Sequence, residues 1–152
     1  MATIGSKGVT ISVGQVYDFD KLSEEHARQF IEEQVIPACE NKGVKLSRYG
    51  NHTGGGSLVA VEKYDEEKLE HKLFNVSRIQ SVFASLDGIV VPATQYNTYS
   101  YRLKHTVEQS QGEYISNGDL IVAMLLKGYA ARFGKQTEGM AVNCEFKAKV
   151  LV

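Results

Sequence analysis

The chain has 152 residues, of which 43% are hydrophobic and 23% charged, with a formal net charge of −1. That length suits one compact domain or two very small ones. The near-neutral balance excludes a general polyanion binder built on a large basic excess. No run of 18 apolar residues spans a bilayer, and the opening MATIGSKGVTISVG lacks the long apolar core of a secretion signal.

The charge is not evenly spread. Residues 1–77 carry 9 Lys and Arg against 12 Asp and Glu, a balance of −3, and residues 78–152 carry 8 against 6, a balance of +2. Cys39 and Cys144 are far apart and form no CxxC pair, so they read as free thiols. Free thiols without a secretion signal place the protein in the cytoplasm or another reducing intracellular compartment.

From the N-terminus, KGVTISVGQV alternates apolar Val9, Ile11 and Val13 with polar neighbours, the pattern of a half-buried strand. Asp18 or Asp20 then caps a helix reaching about Asn41, with Leu22, Ala27, Phe30, Ile31, Val35 and Ala38 on its inner face. Pro37 predicts a kink or an end near Gln34 to Ile36, because proline lacks an N–H and its ring meets the carbonyl one turn back. Val44–Tyr49 and Leu58–Tyr64 read as two strands joined by GNHTGGGS, residues 50–57. That loop lacks the Lys-Ser/Thr and the following helix of a phosphate-binding P-loop, so it reads as a mobile hairpin tip.

Asp65 opens a further helix, and Leu69, Leu73, Val76, Ile79, Phe83 and Leu86 form a stripe at steps of three and four. The stripe fits one long helix or two broken near Asn75, stopped by Asp87-Gly88. Ile89–Val91 is a short apolar strand closed by Pro92. Thr98 or Ser100 starts another helix ending near Gly112. The best-determined helix follows. Ser116 is its N-cap, Asp119 stands three residues later, apolar residues run unbroken from Leu120 to Leu126, and Gly128 is the stop. Such a helix is wrapped by protein on most sides. Tyr129–Phe133 and Met140–Val152 read as strands with a turn at 134–139, and the last of them has the cleanest alternation in the chain.

From residue 66 onward the element order resembles that of a winged helix, a helix-turn-helix followed by a β-hairpin wing. The string YRLKHTVE…GEYISNGDLIVAMLLKGY is also similar to a module of small uncharacterised proteins of viruses and mobile elements. The resemblance brings no activity with it. In a DNA-binding winged helix the capped helix enters the major groove and the wing touches phosphates. For that role the capped helix offers Asn117, Asp119 and Lys127, of which Asp119 would repel phosphate. The wing region offers Arg132, Lys135, Lys147 and Lys149, and Arg102 and Lys104 add charge on the preceding helix. The competing reading is that these are solvated surface charges.

The chain thus reads as α+β, a βαββ portion over residues 1–64 packed on a winged-helix-like portion over 65–152, both sharing one core. Two function classes fit, with no cofactor, metal or membrane implied by any motif. One is a small non-enzymatic protein associated with nucleic acid. The other is a self-assembling structural protein, of viral origin if the resemblance holds, pairing through the 140–152 strand. His105 and Glu108 lie three apart on one helix face, and HxxE without a nucleophile or metal partner favours a polar contact over catalysis. Tyr96, Tyr99 and Tyr101 either stack on bases or pin a loop to the core.

Overall fold

The computed structural model describes residues 9–44, 46–47, 50–51, 74–133 and 144–151, and within them the chain is α+β. β1 (Val9–Ile11) leads to a 3-10 turn at Phe19–Lys21, whose Phe19 is fully buried against Phe83 with ring centroids 5.7 Å apart. That turn occupies the acids expected to cap the first helix. The cap is instead Ser23, whose Oγ accepts from the His26 amide at 3.1 Å and opens α1 (Glu24–Phe30).

Pro37 has the consequence expected of it, in an unexpected form. The helix does not end but widens into a π turn at Ile31–Val35, with the Ile36 amide donating to the Ile31 carbonyl, and resumes as α2 (Ile36–Glu40). A widened turn absorbs the missing donor and the ring without breaking the helix. It also explains which residues are buried. Ala27, Ile31, Val35 and Cys39 recur at every fourth position. That stripe would drift around a regular helix of 3.6 residues per turn.

β2 (Leu46–Ser47) and β3 (Gly50–Asn51) pair antiparallel with Ser47 opposite Gly50. Gly50 and Asn51 are therefore strand and not the start of a long loop. The second strand expected at Leu58–Tyr64, His52, the remaining glycines and the start of the next predicted helix lie outside the described residues. The following stripe is not one continuous helix, because a helix begins afresh after Asn75. The Asn75 backbone is extended, and its side chain accepts from the Arg78 amide at 3.1 Å to cap α3 (Val76–Ser85).

After a 3-10 turn at Leu86–Gly88 come β4 (Val90–Pro92), β5 (Thr98–Tyr99), α4 (Ser100–Gln111) and α5 (Asn117–Leu126). β6 (Ala131–Phe133), β7 (Glu145–Phe146) and β8 (Ala148–Val150) complete the described chain. β1, β6, β7 and β5 form one antiparallel sheet in that order, while β4 pairs with β8 and β2 with β3. β1 does not join β2 and β3 in an N-terminal sheet. β1 instead extends the sheet of the C-terminal half, with Val9 opposite Phe133 and Ile11 opposite Ala131.

The terminal strand is bent, not continuous. Glu145–Phe146 pair with β5 and β6, the chain bends at Lys147, and Ala148–Val150 pair with β4. Alternation survives the bend, with Cys144, Phe146 and Ala148 inward and Lys147 and Lys149 outward. β8 thus does not stay unpaired.

α5 is the centre of this arrangement. All ten of its residues are buried, and it packs against α3, α4, β3 and the π turn. The Ser116 Oγ accepts from the Asp119 amide at 3.3 Å, as the sequence pattern implied. At the far end the Leu126 carbonyl accepts from Val16 and the Met124 carbonyl from Tyr129, which satisfies groups a helix end leaves open. Gly128 terminates it at φ +95°, where an added Cβ would stand 3.1 Å from the Gln15 Cβ. Gly128→Ala should therefore cost about 1–2 kcal/mol in urea unfolding, from the left-handed backbone alone.

Candidate functional site

Burial sorts the residues singled out above into two groups. Asn117 is 0% exposed at the head of α5. Beside it the Asp119 Oδ1 accepts from the Asn75 amide at 3.2 Å, tying the start of α5 to the start of α3. A helix closed in on every side turns no base-reading edge outward. Lys127 folds back over the Phe83 ring, its Nζ 3.9 Å from the centroid and 3.1 Å from the Asp87 carboxylate. Lys104 is 4% exposed, and its Nζ lies 3.1 Å from Glu108 Oε2 and 4.8 Å from the Tyr114 ring centre.

Glu108 is the hub of that last cluster. Its Oε2 also accepts from the Ile115 amide at 2.8 Å, and its Oε1 lies 3.0 Å from His105 Nδ1. Burial pushes the carboxyl upward. The Ile115 amide, Lys104 and His105 outweigh that and hold it below the usual carboxylate range. The HxxE pair therefore forms, and Glu108 fastens the turn between α4 and α5. A carboxylate depressed in the folded state stabilises the fold above its ordinary pKa, and the contribution is lost as pH falls through the depressed value. Glu108→Gln should lower the melting temperature at neutral pH and shrink the further drop seen below about pH 4; an unchanged acid limb would remove Glu108 from this role.

Neither cysteine is poised for chemistry. Burial, then the neighbouring Glu40 charge, pushes the Cys39 thiol up to about 12, and burial lifts Cys144 well above its ordinary value. Among the described residues no group of His, Cys, Asp and Glu is placed to hold a metal ion, and no helix is long and apolar enough to cross a membrane.

Among the described residues, Arg102, Arg132, Lys147 and Lys149 are exposed or half-exposed. Tyr96 carries the Arg132 guanidinium 4.2 Å from its ring centre and the Lys147 ammonium at 5.5 Å. Arg132 also faces Glu145 across the β6–β7 ladder, its Nη2 3.0 Å from Oε1. From Asn97, the next residue along the chain, a cleft of about 360 Å³ opens between β5, the first turns of α4, and β8. Asn97, Tyr99, Leu103 and Val150 line it, with Arg102 and Thr106 from α4 and Lys149 from β8. Its walls are held together by the buried Thr98, whose Oγ1 donates to the Ala148 carbonyl at 2.6 Å. No carboxylate lines the cleft, and among the described residues neither Arg102 nor Lys149 belongs to an ion pair.

Of the residues the sequence pointed to, Arg102, Arg132 and Lys147 thus surround the 96–99 segment, together with Lys149. Asn117, Lys104 and Lys127 are built into the fold, and Lys135 lies outside the described residues. The cleft itself pairs two cations 47 positions apart, and no local pattern connects them. No family model, no curated protein and no solved structure matches this chain.

Proposed function

We propose that the protein associates with nucleic acid through the face made by β5, β8, the start of α4 and the β6–β7 ladder, and not through α5. The observation that carries this reading is the run of cations around Tyr96 and Tyr99, Arg132 and Lys147 on one ring and Arg102 and Lys149 in the adjoining cleft. Aromatic faces interleaved with Arg and Lys are what a strand of bases and phosphates requires. The element order also supports a winged-helix relationship for residues 74–151. Helix, two short strands, helix, helix and three short strands follow one another, β4 pairs with the final strand β8, and β6 and β7 pair as a wing does. On this reading the wing side of such a module meets the ligand while its central helix serves the core.

The test is a fluorescence-anisotropy titration of labelled DNA and RNA over a range of salt. Arg132→Ala combined with Lys147→Ala should weaken binding for every sequence tried and reduce the salt slope by about 1–2. Absence of binding by the parent protein at low salt would remove the proposal.

A further inference from the structure

The cleft beside Tyr96 has a more specific chemistry than the face around it. It is concave, and its 360 Å³ falls at the small end of ligand sites, which run from about 300 to 1,000 Å³. Arg102 reaches it from α4 and Lys149 from β8, so two fixed elements present two cations to one space, and no carboxylate competes for them. Lys149 is held outward by the strand alternation that buries Ala148. Arg102 is anchored on a helix whose Leu103 and Val107 are fully buried. Tyr99, 44% exposed, lines the same cleft, together with Leu103 and Val150 and the polar Asn97, Thr98 and Thr106. Two cations and an exposed aromatic residue lining one cleft suit a phosphate ester attached to a flat ring.

We infer that this cleft binds one unstacked nucleotide, its phosphate between Arg102 and Lys149 and its base against Tyr99. The inference rests on the nucleic-acid reading above and deepens it to single strands. The phosphates of an intact duplex lie on a convex surface with their bases stacked inside, and neither feature enters a one-nucleotide cleft. A strand whose bases are free can place one in it, as can a free mononucleotide.

Four ligands separate these cases: a single-stranded oligonucleotide, the same sequence as a duplex, a nucleoside 5′-monophosphate, and the corresponding nucleoside. The single strand should bind at least tenfold tighter than the duplex. Tyr99→Leu should remove roughly tenfold of the single-strand affinity, within the range measured for one base stacked on an aromatic ring. Arg102→Ala with Lys149→Ala should remove a comparable factor and about 1 unit of salt slope, since each phosphate contact on a single strand contributes about 0.7. Binding of the monophosphate but not the nucleoside, with loss in the Arg102/Lys149 variant, would identify a free nucleotide as a sufficient ligand. Binding of the oligonucleotide alone would identify a strand. All three substituted side chains are at the surface, and circular dichroism checks that each variant is folded. The inference is overturned if the Arg102/Lys149 variant and Tyr99→Leu keep the parent's single-strand affinity while the Arg132/Lys147 variant loses it. That result leaves the wider face intact. It is overturned together with that face if no nucleic acid binds the parent protein.

Discussion

Leu125→Ala should lower the unfolding free energy by about 2–5 kcal/mol, read from urea denaturation with an unchanged slope. Leu125 is fully buried in a helix that has no solvent face. The hole it leaves is bounded by elements fixed elsewhere. α3 is capped by Asn75 and tied to Asp119, α4 is held to the α4–α5 turn through Glu108, and the end of α5 is hydrogen-bonded to Val16. None can slide inward without breaking a hydrogen bond, so the upper half of that range is expected. A change below about half a kcal/mol would mean that the neighbours of α5 close over the gap and that the helix is not the rigid centre described above.

Removal of residues 148–152 should cost as much or more, about 3–5 kcal/mol, and leave the particle mass unchanged. β8 supplies the whole register with β4, Val90 opposite Val150 and Pro92 opposite Ala148. Its loss strands the Thr98 hydroxyl, whose acceptor is the Ala148 carbonyl, and the Ile89 carbonyl, which accepts from the Leu151 amide at 2.8 Å. Buried groups left without partners each cost about 1–3 kcal/mol. Thermal unfolding and light scattering together decide the outcome. A stable truncated chain forming a smaller particle would place this strand between subunits and favour the self-assembly reading.

Features that depend on a few neighbouring residues were legible before the structure. The cap at Ser116 and the stops at Gly112 and Gly128 follow from local backbone chemistry, and each occurs where the sequence put it. Pro37 announced an irregularity, but whether the helix breaks or widens depends on packing, and the burial of Val35 and Cys39 on one face requires it to continue. Asp18, Asp20 and Ser23 are all good caps. The choice fell to Ser23 because Phe19 is drawn into the core beside Phe30 and Phe83 and takes its neighbours into a 3-10 turn. The bend at Lys147 was invisible because alternation continues through it, and only the distant partners, β5 and β6 before it and β4 after it, show that the ladder changes. Asn117 looked available because polar residues near a helix start commonly are, whereas here α3 and the cap region close over it. The cleft was least legible of all. It exists only once β8 is laid beside β5 and α4.

The position of α5 along the chain also sets the order in which the protein can be made. During synthesis the π turn, α3 and α4 leave the ribosome before the helix they pack against, and β1 waits for β6, about 120 residues downstream, before it can pair. The nascent chain therefore carries apolar faces with nothing to close on until residues 117–133 emerge. A fold governed by such distant contacts has a high contact order and folds slowly. Its unfinished intermediates are those that chaperones hold and that aggregate when chaperones are scarce.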